Sequence, residues 1–349
     1  SSHRDQPPNR SLLPMPPSRG TEATRSSLIA TLRTTIDEVL GPILAGTRRV
    51  ALLDFPAHAN VGDSAIWLGT LAYLRATGKE VCYSCDHSTY SRATLAGRLG
   101  DGVILLSGGG NFGDIWKHPQ RLREQVVRDF PDARIVQLPQ SIMFRDEREL
   151  ERARATFDAH PSLTLLVRDR RSLRFASQSF RAPSLLCPDM AFCLGPIARP
   201  APATKSVVWL ARTDRECGAG TPPAGVPSVD WLHEPPSVEL RLESFLRELV
   251  VEHPRAERTL RSVLSRAANR AAAGRLRRGC AMLGEGRIVI TDRLHAHILS
   301  LLLGIPNVIL DNSYGKLHDF YHTWTSGSGL VRWARDPEHA IALAGERSS

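Results

Sequence analysis

The alternation of short apolar runs with helical segments is the feature that most restricts how this chain can fold. A leading amphipathic helix is predicted from apolar residues that recur at helical spacing between Leu28 and Leu40. Helical segments, notably 119–129 and 146–159, then separate apolar runs that are typical of buried strands. Five of these runs lie in the first half of the chain, at 49–55, 80–85, 102–110, 133–141 and 162–169. This alternation favours an α/β fold built on a doubly wound, mostly parallel sheet.

A proline-rich stretch at 188–204 interrupts the alternation, and we place a linker there. The pattern restarts with an apolar run at 206–212, and a long helical region follows at 237–283. We therefore predict an N-terminal α/β lobe at 26–195 and a C-terminal α/β lobe at 205–349. Two such lobes facing each other would place the carboxyl ends of their strands across a shared cleft, where parallel sheets bind ligands.

The first 25 residues are rich in proline, serine and arginine and lack the apolar core of a signal peptide. We predict a disordered tail at 1–25. No stretch reaches the roughly 18 uninterrupted apolar residues of a membrane span, so a cytoplasmic location is expected.

The overall composition is that of an ordinary globular protein, with 349 residues, 42% hydrophobic and 23% charged. A formal net charge of +9 indicates anionic partners, among them phosphorylated metabolites, acidic polymers and anionic lipid. The six cysteines do not form a disulfide pattern. Cys82 and Cys85 make one C-x-x-C pair without the second pair that a structural zinc site needs, so we expect reduced thiols and no metal.

A run of arginines in the long helical region has two interpretations. It is a surface for an anionic polymer or a membrane, or it is a solvated helix face. No aromatic residues interleave with it, which disfavours nucleic acid as a partner. The run consists of Arg255, Arg258, Arg261, Arg266, Arg270, Arg275, Arg277 and Arg278.

Two glycine-containing motifs follow predicted strands. In "NVGD" (60–63), Gly62 permits a tight turn, and Asp63 either caps the next helix or acts as a base. In "SGGGNFGD" (107–114), consecutive glycines allow backbone N–H groups to approach an anionic or sugar ligand, although a plain tight turn is the alternative. Asn111 and Asp114 add polar groups beside this loop.

Arginine and aspartate also follow the fifth predicted strand. Arg168 could bind a phosphate or carboxylate in bidentate fashion, through two of its guanidinium nitrogens. Pairing of Arg168 with Asp169 or Asp189 is the rival interpretation. Asp189, next to a proline at the junction of the lobes, could simply form a turn.

The segment "TDRLHAHILSLLLGIP" (291–306) places cationic groups where an apolar helix begins. Arg293 and His295 fall in the first helical turn, beside free N–H groups and the positive end of the helix dipole. Cations are unfavourable there unless an anion binds, so this turn predicts an anionic ligand. A capping Asp292 with incidental surface histidines is the alternative, and spacing does not decide whether His295 or His297 is the working imidazole.

At these residues the chain resembles the polysaccharide pyruvyl transferase family, in its bacterial exopolysaccharide branch. The matching elements run in order over residues 50–325: "NVGDSAIW" (60–67), "LLSGGGNFGD" (105–114), "QLPQSI" (137–142), "VRDRRS" (167–172), "PDMAF" (188–192), "TDRLHAHILSLLLGIP" (291–306) and "DNSYGK" (311–316).

The resemblance implies two Rossmann-like lobes in a GT-B-like arrangement, and transfer of a pyruvyl group from phosphoenolpyruvate onto a saccharide as a ketal. It implies a donor site with Arg293 and Arg168 as binding residues and His295 as the acid, and we add His297 as a donor-binding candidate. We expect Asp63 to act as a base, and no cofactor beyond phosphoenolpyruvate as co-substrate. The acceptor side is expected to contain Asn60, Gly109, Gly110, Asn111, Asp114 and Asp189.

The expected acceptor is a lipid-linked or nucleotide-linked saccharide, with peripheral contact at the inner face of the membrane left open. The alternatives are a GT-B glycosyltransferase that uses a nucleotide sugar, and a non-catalytic glycan-binding protein of the same fold. The sequence leaves the oligomeric state undetermined.

Overall fold

The computed structural model describes residues 19–213, 222–253, 255–311 and 315–346. It contains two parallel sheets, which confirms the predicted α/β class. The first sheet has seven strands, β1 Arg49–Leu53, β2 Glu80–Cys85, β3 Val103–Leu106, β4 Gly109–Gly113, β5 Arg134–Met143, β6 Leu163–Val167 and β7 Ser184–Leu186. The second has four strands, β8 Lys205–Leu210, β9 Gly286–Thr291, β10 Asn307–Ile309 and β11 Val331–Trp333.

Helices connect the strands in the order that the sequence pattern predicts. A 3-10 turn at Met190–Leu194 joins the two sheets, and a π-helical turn at Tyr321–Thr325 precedes β11. The helices are α1 Arg19–Ile43, α2 Val61–Ala76, α3 Arg92–Leu99, α4 Lys117–Asp129, α5 Glu147–Asp158, α6 Arg170–Ser179, α7 Val238–Glu252, α8 Glu257–Gly284, α9 Leu294–Leu303, α10 Lys316–Phe320 and α11 Pro337–Gly345.

The first sheet has the order β2-β1-β3-β5-β6-β7, with β4 paired to β5. Strand β2 lies on one side of β1 and strand β3 lies on the other. The topological switch point is therefore between β1 and β3. Parallel sheets bind ligands in the crevice at such a point, beyond the carboxyl ends of the strands. The second sheet runs β11-β10-β9-β8 without a reversal.

The two sheets share one hydrophobic core. Apolar side chains of α1, α2, α8 and α9 form a continuous buried cluster with residues of both sheets, from Val50 in β1 to Ile309 in β10. The outer face of each sheet has its own smaller cluster. The predicted lobe boundary near residues 195–205 falls between the two sheets, and the division into lobes stays a prediction. The helices that lie between the sheets pack against both of them.

Two predictions about flexible segments are wrong where the structure describes them. Residues 19–25 of the predicted tail belong to helix α1, while residues 1–18 lie outside the described range. The glycine loop after β3 is partly strand: 109–113 pair with β5, with Gly109 and Gly113 at φ +133° and +140°. These glycines are needed because other residues rarely adopt such angles.

The arginine run of α8 divides into two groups. Arg255, Arg258, Arg266, Arg270 and Arg277 are exposed, as a solvated face requires. The remaining three, Arg261, Arg275 and Arg278, reach from α8 to carbonyl oxygens of the first sheet's loops.

Two of these guanidinium groups, those of Arg275 and Arg278, hold the loop between β1 and α2 in place. Arg275 donates to Pro56 O at 2.8 Å and Arg278 donates to Ala59 O at 3.0 Å. Glu234 pairs with both guanidinium groups and balances their charge. The solvated-face interpretation is therefore wrong for this inner group, because buried carbonyl oxygens need donors.

Candidate functional site

Two helices from different sheets begin side by side at the carboxyl ends of β1 and β9. Asn60 caps α2 by accepting a hydrogen bond from Gly62 N at 3.0 Å, whereas α9 begins after Arg293 without a side-chain cap. Gly62 packs on the imidazole of His295, since a β-carbon on Gly62 would lie 2.6 Å from its Cγ atom. Both helix starts therefore direct the positive ends of their dipoles toward one place.

A buried cluster of Arg168, Asp189 and His295 occupies this place. Arg168 Nη1 donates to Asp189 Oδ2 at 2.7 Å, and His295 Nε2 lies 3.3 Å from the same oxygen. Burial by itself would raise the pKa of Asp189, but the neighbouring His295 and Arg168 outweigh it and hold that pKa well below its usual range. The carboxylate is therefore ionised, and it orients both cationic partners.

The cluster combines residues that we predicted to lie on the donor side with one that we predicted to lie on the acceptor side. Arg168 and His295 were predicted on the donor side, and the structure joins them, although they are 127 positions apart. Asp189 was predicted on the acceptor side, but it contacts both of them. Asp189 Oδ1 also accepts from Ala191 N at 2.9 Å, so the predicted turn is present too. Asp169, the other predicted partner of Arg168, instead caps α6.

Arg168 is held so that one guanidinium nitrogen faces the glycine strand. Its Nε donates to Ser141 Oγ at 2.9 Å, and its carbonyl accepts from Trp324 Nε1 at 2.8 Å. Its Nη2 lies 3.0 Å from the position that a β-carbon on Gly110 would occupy. The absent side chain of Gly110 therefore allows the guanidinium to approach this backbone closely.

A second cation approaches the same glycine. Lys316, the first residue of α10, donates from Nζ to Gly110 O at 3.1 Å, and its side chain is 7% exposed. Its Nζ lies 3.4 Å from the position of a β-carbon on Gly110. Two like charges that flank one backbone position repel each other unless an anion lies between them. The arrangement can therefore bind a compact anion.

Arg293 points to a different partner. Its Nη2 pairs with Asp230 at 2.7 Å, and its guanidinium carbon lies 5.7 Å from the ring centre of Trp231. Asp292 accepts a hydrogen bond from Arg212 N instead of capping α9, so the predicted cap is absent. The ion pair with Asp230 directs this guanidinium to a partner outside the Arg168–Asp189–His295 cluster.

His297 lies in the interior of the second sheet's core and has no exposed surface. One ring nitrogen is 2.8 Å from Asn307 Oδ1 and the other is 2.9 Å from Thr325 Oγ1. Burial lowers the pKa of His297 to about 4. In this conformation His297 cannot reach a ligand, and it serves as a neutral link between α9, β10 and the π-helical turn.

The buried His297 makes fold stability depend on pH. The unfolded chain binds a proton to this histidine below pH 6.5, whereas the folded chain does so only near pH 4, so stability is lost on acidification through that window. The loss should be roughly 2–3 kcal/mol for this residue. Urea unfolding at pH 7 and pH 5 measures it. A His297→Gln variant should show a smaller decrease between these pH values, and an equal decrease in both proteins would contradict the assignment.

The start of α2 carries a partly exposed carboxylate. Asp63 accepts from Asn60 Nδ2 at 2.8 Å, and His58 Nε2 lies 3.5 Å from the same oxygen. The cap of α2 is therefore Asn60, and capping does not explain Asp63. Asp63 Oδ1 is 3.4 Å from the position of a β-carbon on Gly109, so this carboxylate borders the glycine strand.

Two other residues predicted on the acceptor side are structural. Asn111 Oδ1 accepts from Arg123 and Gln140, and Asn111 N donates to Gln140, so both side-chain oxygen and backbone N–H are engaged inside the sheet. Asp114 accepts from the backbone N–H groups of Arg145 and Asp146 and closes the loop before α5.

Two residues near the site, Lys316 and Asp54, were not predicted individually from the sequence. Lys316 belonged to the "DNSYGK" motif, of which 312–314 lie outside the described residues, and only folding brings Lys316 to Gly110. Asp54 follows β1 with φ +71°, and it is the single residue other than glycine at positive φ in the described chain. Positive φ leaves no mark on the sequence at a non-glycine position.

The described residues contain no group of three or more histidine, cysteine, aspartate or glutamate side chains arranged to hold a metal ion. Every helix in the same ranges is too short or too polar to span a bilayer.

Comparison of the sequence with known proteins identifies the family of this chain. The family model described as polysaccharide pyruvyl transferase matches residues 60–314. Pyruvyl transferase 1 of Schizosaccharomyces pombe is 37% identical over 82% of this chain and 72% of its own length. EpsO of Bacillus subtilis, provisionally assigned as a pyruvyl transferase, is 32% identical over 80% of this chain and 86% of its own length.

A solved structure supports the fold. The crystal structure of an uncharacterised protein from Klebsiella pneumoniae superposes with a TM-score of 0.56 at 16% identity, over 87% of this chain and 98% of that one. At this identity, the likeness concerns the fold alone. The family model covers the residues that form the buried cluster and both helix starts, and this chain belongs to the polysaccharide pyruvyl transferase family.

Proposed function

We propose that the protein transfers the pyruvyl group of phosphoenolpyruvate onto two hydroxyls of a saccharide, forming a ketal in exopolysaccharide or cell-surface glycan synthesis. The observation that supports this most is the pair of cations, Arg168 and Lys316, beside His295 at the meeting point of two helix starts. We further propose that the two sheets act as the GT-B-like lobes that the family resemblance implies.

The donor matches the charges of the site. Phosphoenolpyruvate carries a carboxylate and a phosphate, which suit a guanidinium, an ammonium and a helix N-terminus. In our proposal Arg168 Nη2 and Lys316 Nζ bind one acidic group beside Gly110. Arg293 binds the other acidic group after leaving Asp230. Asp189 positions His295 and does not touch the donor.

The reaction follows from these positions. His295 gives a proton to the methylene carbon of the donor, and the first saccharide hydroxyl adds to the adjacent carbon. That hydroxyl proton passes to a carboxylate, for which Asp63 is our candidate because it borders the glycine strand. The second hydroxyl then displaces the phosphate, which leaves with a proton as inorganic phosphate. One C–O bond to phosphate is broken and two C–O bonds to sugar are formed.

Phosphate release tests the proposal directly. The protein is mixed with phosphoenolpyruvate and a panel of galactose-, glucose- and mannose-containing acceptors, free, lipid-linked or nucleotide-linked. We expect acceptor-dependent release of phosphate together with a ketal product. Stabilisation by a nucleotide sugar without a response to phosphoenolpyruvate would favour a glycosyltransferase. Glycan binding without turnover would favour a non-catalytic binding protein.

Lys316 should contribute to donor binding. Lys316→Gln is expected to raise the KM for phosphoenolpyruvate at least about tenfold, because one charge-assisted contact to the donor is lost. The KM for the saccharide should change little. Lys205→Gln, an exposed lysine paired with Glu285, is the matched control. An unchanged donor KM in Lys316→Gln would remove this residue from the donor site.

A further inference from the structure

Asp54 occupies a strained position where the ligand of this fold is expected. It directly follows β1, and its φ of +71° lies in a region that residues other than glycine rarely adopt. Strain of this kind persists only where the surrounding structure enforces it, and it concentrates at functional sites. Cys85 O enforces it here by accepting from both Asp54 N at 2.7 Å and Phe55 N at 2.9 Å.

The strand register places Asp54 at the topological switch point. Leu53 pairs with Cys85 of β2 on one side and with Leu106 of β3 on the other. Asp54 therefore follows the last paired residue of β1, just as Asp86 follows that of β2 and Ser107 that of β3. The segment after Ser107 leads to Gly109, which Asp63 also borders. Asp54 and Asp63 thus flank the same stretch of backbone.

The carboxylate of Asp54 has no hydrogen-bond donor within the described residues, although it is half-buried. This distinguishes it from Asp63, Asp86 and Asp114, whose oxygens accept from neighbouring groups. A half-buried carboxylate without donors remains able to accept a proton from a ligand that enters the crevice.

Burial opposes the ionisation of Asp54 more strongly than the nearby charge of Arg123 favours it. Burial raises the pKa of Asp54 to about 7; Arg123 lowers it, while Asp86 and Asp63 raise it. Arg123 is itself fully enclosed, and burial lowers its pKa to about 10. Burial also raises the pKa of the thiol of Cys85, the last residue of β2. A carboxylate that titrates near neutrality is suited to exchange protons during turnover.

Ketal formation needs more than one proton acceptor. Two saccharide hydroxyls each lose a proton, one when the first C–O bond forms and one when the second displaces phosphate. We propose that Asp54 is a catalytic residue that takes one of these two hydroxyl protons, with Asp63 taking the other. The proton then passes to the departing phosphate or returns to His295, so that no external acid or base is consumed. This inference rests on the proposed function.

The Asp54→Asn variant tests the proposal. Asparagine is tolerated at positive φ and has the same shape, and it removes a charge that costs stability above pH 7, so the variant is expected to fold. Wild-type kcat/KM for the saccharide should rise with pH through about 7. In Asp54→Asn this rise should be absent, and the rate at pH 8 should fall about 100-fold or more. Asp63→Asn should lower the rate but keep the rise.

Three outcomes are informative. If wild-type protein releases phosphate and Asp54→Asn keeps both the rate within twofold and the rise near pH 7, Asp54 is not a proton acceptor. If Asp54→Asn is slow at all pH values but retains the rise, its role is structural and the proposal also fails. If wild-type protein releases no phosphate with any acceptor of the panel, the proposed function itself fails first.

Discussion

Replacing His295 with alanine is expected to abolish phosphate release from phosphoenolpyruvate, with a decrease of about 1,000-fold or more. His295 is the one imidazole of the cluster, and imidazole is the commonest general acid among side chains. Arg168 cannot lose its proton, and Asp189 is held ionised by its neighbours. In the proposed reaction, the proton for the methylene carbon of the donor therefore comes from His295.

The fold should survive this substitution, which makes the result interpretable. Asp189 keeps its 2.7 Å pair with Arg168 when the imidazole is removed, so no buried carboxylate is left without a partner. The thermal midpoint and the affinity for phosphoenolpyruvate should change little. His253→Ala, at the exposed end of α7, is the matched control and should retain wild-type turnover. Wild-type turnover in His295→Ala would refute the site.

Arg293→Ala tests the role that we propose for Arg293 in donor binding. If Arg293 leaves Asp230 to bind the donor, its removal should abolish turnover as strongly as the loss of His295. An effect confined to stability would instead show that the Asp230 pair is its whole role. Asp230→Asn is the companion variant. It should ease the release of Arg293 and should not raise the donor KM.

Most of the fold was predictable because its signals are local. Apolar runs such as 49–55 and 80–85 are strands, and a glycine, Gly78 or Gly304, lies within two residues of the end of α2 or α9. Helix α1 extends beyond its apolar pattern, which starts at Leu28, and Arg25 in this extension donates to Ile197 O and Leu302 O, contacts that the sequence does not reveal. The pairing of β4 with β5 was not predictable, since two consecutive glycines favour a loop on local grounds.

The candidate site was predictable only in part, because spacing gives the face of a helix but not its partners. His295 and His297 lie in the same turn, yet one meets Arg168 and Asp189 whereas the other meets Asn307 and Thr325. Those partners come from other elements, so the choice depends on tertiary packing. For the same reason, the sequence did not reveal the strained backbone of Asp54 or the contacts of Arg261, Arg275 and Arg278 in α8.

Substitution of Gly62 by alanine should inactivate the enzyme without touching a polar group. The added β-carbon would lie 2.6 Å from Cγ of His295 and nearer still to Nδ1, far inside van der Waals contact. Gly62 lies in the first turn of α2, where alanine normally favours the helix, so any loss must come from this collision. The imidazole has to move and leaves Asp189 Oδ2, now 3.3 Å away. We expect kcat to fall at least about 100-fold, with a stability loss of roughly 1–3 kcal/mol from overpacking.

A double-mutant cycle identifies the cause. In the Gly62→Ala/His295→Ala protein the obstructing ring is gone, so the stability lost in Gly62→Ala should be regained, and the two substitutions should be strongly non-additive. Gly327→Ala, where an added β-carbon meets nothing within 4 Å, is the control and should leave both stability and turnover unchanged. Additive stability effects in the cycle would mean that α2 does not press on His295, and the first sheet would then have no part in orienting the proton donor.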